Sequence, residues 1–328
     1  VMGSKNLLAI VANTKDGRAA SAGNFKDLNK EIARGDGSAR FRDDTTEKLG
    51  GTWANYVPMN EKHVVPEMNF SPTGTDASLP LHRGNVQETG DYVIKAESCY
   101  RCGIKCHKNV YDIDEDGQAG QFRAKLDFEP LNLLSSNIGI FDIDQACTLV
   151  ELVDELGMDS ISCGVSLSYA MEYNRRHADD GKATAEGPRF GDFEGARQAI
   201  LDIGEGRNEL IGQGSLRMSE ELGEPEYAMH CKGMELPAYL PQHNPGYPWA
   251  MAGGHMSMRT FLLYLFDGET DMDYWVGAIT DPDRGLIQFP YDMIGVCKFA
   301  ALSPDQLGEA VTALTGVEVT AATLREMT

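Results

Sequence analysis

The sequence predicts a mainly α fold, and three observations carry that prediction. Five segments place apolar residues three and four apart, the period of a helix with one buried face. Candidate strands are few and short, and no internal repeat of solenoid length is present. With 328 residues the chain can bury a large core and should hold about two domains.

The first helix is expected from Asn24 to Ala33. The second, Asp144 to Leu156, carries Ala146, Leu149, Val150 and Val153 on one face, with Asp142 or Asp144 as cap. Gly157 then supplies a left-handed stop before Met158 and Asp159. Ser160 to Arg176 and Phe193 to Ile203 follow, and Pro304 to Leu314 closes the set behind the Ser303-Pro304 cap and first-turn pair. Polar stretches rich in Gly and Pro, at Ser71 to Gly84, Ala178 to Gly191 and Pro241 to Pro248, read as loops. Gly204 to Gly223 leads into the acidic run Glu220 to Glu226 and marks the expected domain border, giving helical domains 22–222 and 223–328. Its glycines make no dinucleotide fingerprint, because Gly204-Glu-Gly-Arg lacks the preceding strand and the third glycine.

Composition removes several classes of function. The 29 basic and 50 acidic residues leave a net charge of −21, which repels nucleic acid and anionic membranes at long range. No apolar run reaches membrane-spanning length, the longest being Phe261 to Phe266. Seven cysteines without regular pairing argue against a secreted disulfide scaffold and make a reducing cytoplasm the expected setting.

Four of those cysteines are candidates for chemistry. Cys99, Cys102 and Cys106 stand in one Cys-x2-Cys-x3-Cys run, and Cys297 lies far downstream. A 4Fe-4S cubane needs a thiolate on each iron, and such a loop can wrap three corners while the fold brings in the fourth. A four-cysteine zinc site and plain packing remain open readings, although zinc knuckles usually pair two Cys-x2-Cys hairpins. Cys147, Cys163 and Cys231 sit in segments where packing is expected.

Two hexapeptides look alike, Asp154-Glu-Leu-Gly-Met-Asp159 and Asp292-Met-Ile-Gly-Val-Cys297. In each, glycine lets the backbone approach a ligand while aspartate offers a rigid acceptor, a pattern that suits paired clamps on one large cofactor. Two helix C-terminal turns would show the same glycine.

Taken in order, Val1-Met-Gly-Ser-Lys-Asn6, the Cys99 to Cys106 loop, the twin hexapeptides, Asp159-Ser-Ile-Ser162, Ala170-Met-Glu172 and Lys232-Gly-Met-Glu-Leu-Pro237 resemble the aldehyde ferredoxin oxidoreductases. The resemblance covers nearly the whole chain. It implies two mainly helical domains over a tungsten or molybdenum ion on two pterin dithiolenes, a 4Fe-4S cluster, and possible bridging of the pterin phosphates by Mg. Residues 1–21 would be the tail of a β-rich first domain that forms the pterin base, with native sequence missing at both ends of the chain.

Carried over residue by residue, the resemblance makes Cys99, Cys102, Cys106 and Cys297 the cluster ligands. It makes Asp154, Gly157, Asp159, Asp292, Gly295 and Val296 pterin contacts. Glu129, in Asp127-Phe-Glu129, and His255, in Ala252-Gly-Gly-His255, take the places of the acidic residue and the histidine beside the metal, and would manage protons. Judged alone, Glu129 reads as a helix N-terminal charge and His255 as a loop residue. His107 is expected outside the ligand set, while Lys105 and Lys108 would add positive charge near the cluster.

The implied reaction is oxidation of an aldehyde to a carboxylate, with electrons leaving through the cluster to ferredoxin or an iron–sulfur subunit, in a homodimer or larger assembly. A relative that reduces a carboxylic acid or an aromatic thioester with a separate electron-input complex is the second reading. A non-catalytic protein stabilised by a cluster or zinc is the third. Leu240-Pro-Gln242, Ala252-Gly-Gly-His255, Phe128 and Pro130 depart from the family pattern beside the substrate channel, so the substrate is left open.

Overall fold

The computed structural model describes residues 25–34, 50–71, 76–99, 102, 104–184, 187–241, 247, 271–280, 297, 299 and 302–327. The fold is mainly α. In chain order it runs α1 (Phe25–Arg34), α2 (Tyr56–Glu61), α3 (Arg83–Thr89), β1 (Tyr92–Glu97), β2 (His107–Ile113), β3 (Ala119–Leu126) and α4 (Phe128–Leu133). It continues through α5 (Ile143–Glu155), α6 (Ser160–Arg176), α7 (Phe193–Gly204), α8 (Glu209–Gly212), α9 (Ser215–Leu222), β4 (His230–Cys231) and β5 (Met234–Glu235). Last come α10 (Met272–Thr280), α11 (Pro304–Thr315) and α12 (Ala321–Met327). No helix among the described residues is long and apolar enough to cross a membrane.

The expected caps form where the sequence places them. Asp142 accepts from the Gln145 amide and starts α5, Asp159 accepts from Ser162 and starts α6, and Ser303 makes a capping box with Gln306 ahead of α11. Each satisfies amides that the first helical turn leaves without a partner. Between α5 and α6, Gly157 takes a left-handed turn at φ 68°, while the Met158 amide reaches back to the Val153 carbonyl at 3.1 Å.

One sheet differs from the expectation of short strands. β1, β2 and β3 form an antiparallel meander of six, seven and eight residues, with α5 packed against β3. Its connections matter more than its size: the β1–β2 connection holds the Cys99 to Cys106 loop, and β3 runs straight into α4.

The core also continues across position 222/223. Ile211 and Met218 on one side, and Tyr227, Leu236, Ala238, Tyr239 and Leu240 on the other, belong to the same apolar cluster around α5 and α6. Gly204 to Gly223 is therefore two short helices, α8 and α9, packed on α6, and their glycines fall at helix ends. α1 packs against α11, where Gln306 Nε2 donates to Glu31 Oε1 at 3.1 Å.

At the far end of α6 an ionic tie fastens the following segment. His177 Nδ1 lies 2.6 Å from Asp180 Oδ2 and its Nε2 lies 2.7 Å from Glu224 Oε1. With carboxylates at both nitrogens the ring must donate twice, which only the imidazolium does. The hydrogen bonds to Asp180 and then Glu224 hold His177 above its ordinary 6.5, against the effect of burial. Stability from this tie is therefore fully present below about pH 6.5 and fades as pH rises through the raised value. The two carboxylates are held low and contribute in the opposite sense, losing their share as pH falls. Urea unfolding across pH 6 to 9 (roughly the window around an ordinary histidine) should show stability falling with pH, and His177→Gln should flatten that fall; equal slopes in both proteins would refute the tie.

Candidate active site

The cysteine loop is gathered by β1 and β2. Cys102 N donates to Cys99 O at 2.9 Å, Ile104 is buried beneath the loop, and Lys105 takes a left-handed φ of 52° before Cys106 enters β2. Cys99 and Cys297 are exposed, Cys102 and Cys106 half-buried, and all four are free thiols. Burial pushes Cys106 up to about 11, and the charges of Asp127, Cys297, Cys99 and Cys102 add to that rise. Cys297 thus lies within electrostatic reach of the loop despite its distance in sequence. Deprotonated together, four such sulfurs would repel one another unless a cation sat among them, and an all-sulfur donor set suits iron in a cluster. Among the described residues no three His, Cys, Asp or Glu side chains share one ion position. A cubane instead seats each thiolate on a different iron.

Asp127 joins this site to the next. It accepts from Thr52 Oγ1 at 3.2 Å and pairs with Lys125 at 3.3 Å, and the Phe128 amide donates to Thr52 Oγ1 at 3.1 Å. α4 therefore starts beside the cysteine loop, and Glu129 sits half-buried in its first turn, where the helix dipole favours negative charge. Tyr239 hydrogen-bonds the Glu129 carboxylate from a fully buried position. Burial first, then Glu129, holds its phenol far above the usual range, so the hydroxyl stays protonated and acts as the donor. The Tyr239 ring packs on Phe128 at 6.0 Å, and its carbonyl accepts from Tyr247 at 3.1 Å.

The first hexapeptide forms the α5–α6 turn. Asp154, Gly157 and Asp159 are all exposed there, and no atom lies within 4 Å of the place a Gly157 side chain would take. The turn presents two carboxylates beside open space, which fits a flat polar ligand with N–H donors, while Asp159 also caps α6 at 2.7 Å. The turn is thus both a helix stop and an open acceptor surface. His255, Asp292, Gly295 and Val296 lie outside the described residues, so the second hexapeptide is represented by Cys297 alone. Residue reasoning missed Tyr239, which follows the Lys232 to Pro237 run with no motif of its own.

The family model of aldehyde ferredoxin oxidoreductase, domains 2 and 3, matches residues 42–328. The chain belongs to the aldehyde ferredoxin oxidoreductase family. It is 31% identical over 267 residues to the tungsten-containing aldehyde ferredoxin oxidoreductase of Pyrococcus furiosus, covering 77% of this chain and 42% of that protein. It is 27% identical over 251 residues to the aliphatic sulfonate oxidoreductase, WOR-like subunit, of the same organism, covering 73% of this chain and 39% of that protein. Among solved structures, the active site complex BamBC of benzoyl coenzyme A reductase with 1,5-dienoyl-CoA matches at a TM-score of 0.61 and 14% identity. That match covers 92% of this chain and 53% of that one, and shows likeness of fold. The chain spans under half the length of these curated relatives.

Within this member of the family, cysteine chemistry should divide by burial. Cys147 and Cys163 are buried, and desolvation pushes both thiols up to about 12. In the metal-free folded protein, iodoacetamide followed by peptide mass spectrometry should label Cys99 and Cys297 first and Cys147 and Cys163 only after denaturation. Early labelling of the buried pair would contradict the packing described.

Proposed function

We propose that this chain is the part of a tungsten- or molybdenum-bis-pterin oxidoreductase that covers the cofactor and carries its 4Fe-4S cluster, the whole protein oxidising an aldehyde to a carboxylate. One observation carries the reading: Cys99, Cys102 and Cys297 lie within electrostatic reach of Cys106, and so does Asp127, the residue that opens the helix holding Glu129. When bound, the metal centre supplies oxygen transfer and accepts two electrons, and the cluster passes them singly to ferredoxin or an iron–sulfur subunit.

This chain's own residues supply the rest. Cys99, Cys102, Cys106 and Cys297 would hold the iron. Asp154 and Asp159 would accept from pterin N–H groups across the space over Gly157, with Asp292, Gly295 and Val296 as the matching second clamp. Glu129 is the general base, fixed by Tyr239 so that its carboxylate meets water or the hydrated substrate in one orientation. His255 is the proton donor to the substrate oxygen. Mg on the pterin phosphates and a homodimer complete the proposal. Reduction of a carboxylic acid or aromatic thioester is the second reading, which the likeness of fold to the BamBC complex of benzoyl coenzyme A reductase fits.

The test uses the full native protein purified without oxygen. Mass spectrometry should count about four irons and one tungsten or molybdenum per chain, as one cubane and one mononuclear centre require. Zinc alone, or iron without either heavy metal, would overturn the reading. Co-purifying flavin and cluster subunits would place the second reading first.

In the loaded protein, Glu129→Gln should keep its metals and lower aldehyde turnover by about 10²- to 10⁴-fold, the usual share of a general base. Unchanged turnover would remove Glu129 from that role.

A further inference from the structure

Two side chains with no part in the proposed reaction reach the cysteine loop from opposite sides of β2. His107 and Lys108 follow Cys106 directly, and successive strand residues point to opposite faces. His107 turns back along the loop, placing Nε2 3.4 Å from Cys99 Sγ. Lys108 turns inward and is fully buried at 0% exposure, with its ammonium donating to the Lys105 carbonyl at 2.7 Å. Lys105 itself is exposed. Of the two lysines flanking Cys106, Lys108 alone brings its amine inside.

We propose that His107 and Lys108 are positioning residues that raise the reduction potential of the 4Fe-4S cluster, an inference that rests on the cluster reading above. Reduction adds one electron and makes the cluster more negative. An N–H donor on a coordinating sulfur stabilises that form, and so does a cation held nearby. Burial gives Lys108 its weight, because a charge acts at an effective dielectric of about 20 inside the protein against about 80 in water. The exposed charge of Lys105 is screened by solvent and salt. Lys108 also holds the Lys105 carbonyl, and with it the left-handed turn that delivers Cys106 to the strand.

The experiment compares full-length, anaerobically prepared wild type with His107→Phe, Lys108→Met and Lys105→Met. Iron is counted in each, and the cluster is titrated under electron paramagnetic resonance. His107→Phe and Lys108→Met should retain iron and shift to lower midpoint potential, while Lys105→Met stays at the wild-type value. Wild type without iron would overturn the cluster reading and this inference with it. Iron-loaded His107→Phe and Lys108→Met at the wild-type potential would overturn this inference alone. Should Lys108→Met lose iron through misfolding, the half-buried His107→Phe decides the matter by the same shift.

Discussion

The seam between α4 and α6 is the constraint on which the site depends. A side chain at Gly164 would stand 2.5 Å from the Leu133 carbonyl oxygen, so only glycine lets the two backbones meet. The helix bearing Glu129 and the helix begun by Asp159 are thereby held in one frame. Below the contact the seam turns polar. Asn137 donates to Ser168 Oγ at 3.0 Å, Ser168 lies 3.1 Å from Asn69 Oδ1, and the Phe70 amide donates to Asn137 Oδ1 at 2.8 Å. This network fixes an unusual piece of backbone, since Met68, Asn69 and Phe70 are left-handed in succession at φ 42°, 58° and 59°. Such a conformation costs about 1–2 kcal/mol for an ordinary L-residue and persists only where the surroundings over-determine it. The Met68 and Asn69 amides donate to the Ser136 and Asn137 carbonyls at 3.1 and 3.0 Å, which locks the strained turn to the loop after α4.

Five helices, α1, α5, α6, α7 and α11, were legible because their instructions are local, while the shorter ones carry too little apolar period to be read. Ser160 to Arg176 was read to its final residue, and α5, α7 and α11 within about a residue at each end, since caps and apolar period lie within a few residues of each boundary. The meander was not legible. β2 does alternate, but one of its inward positions is Lys108, and bulges between Val110 and Ile113 break the period. β3 opens with the polar run Ala119-Gly-Gln121 before any buried residue. Partner strands supply the missing information, and no window along one strand contains it. The glycines from Gly204 to Gly223 misled for a related reason: Ile211 and Met218 make the segment core, and only the tertiary contacts of α6 show it.

At the candidate site, the cysteine loop was legible by spacing and its neighbours were not. Cys99, Cys102 and Cys106 announce a wrapped loop whatever surrounds it, and burial separates them from the inert Cys147 and Cys163. Asp127, His107 and Lys108 act on the loop through strand alternation and sheet pairing, with Lys108 opposite Leu126 in the ladder. A residue's distance from Cys106 along the chain therefore says little about its side-chain target. Read as a strand with Val110 facing inward, the run would have placed Lys108 inside at i and Val110 at i+2, and His107 outward toward Cys99.

The Lys232 to Pro237 run shows how a family landmark can shape the candidate site through the fold. Lys232 and Gly233 are both left-handed, at φ 55° and 84°, and close the two-residue turn of the β4–β5 hairpin. Glu235, nearly buried, reaches across to α9 and accepts from both the amide and the hydroxyl of Ser215, at 2.8 and 3.0 Å. Gly214 has no side chain with which to cap that helix, so Glu235 supplies the missing acceptor from another element. Leu236 then donates to the Met229 carbonyl at 3.0 Å and enters the core, and three residues later Tyr239 meets Glu129. A change at Glu235 would free the hairpin from α9 and with it the segment that brings the phenol to the carboxylate. The landmark bears on the candidate site by determining where Tyr239 stands.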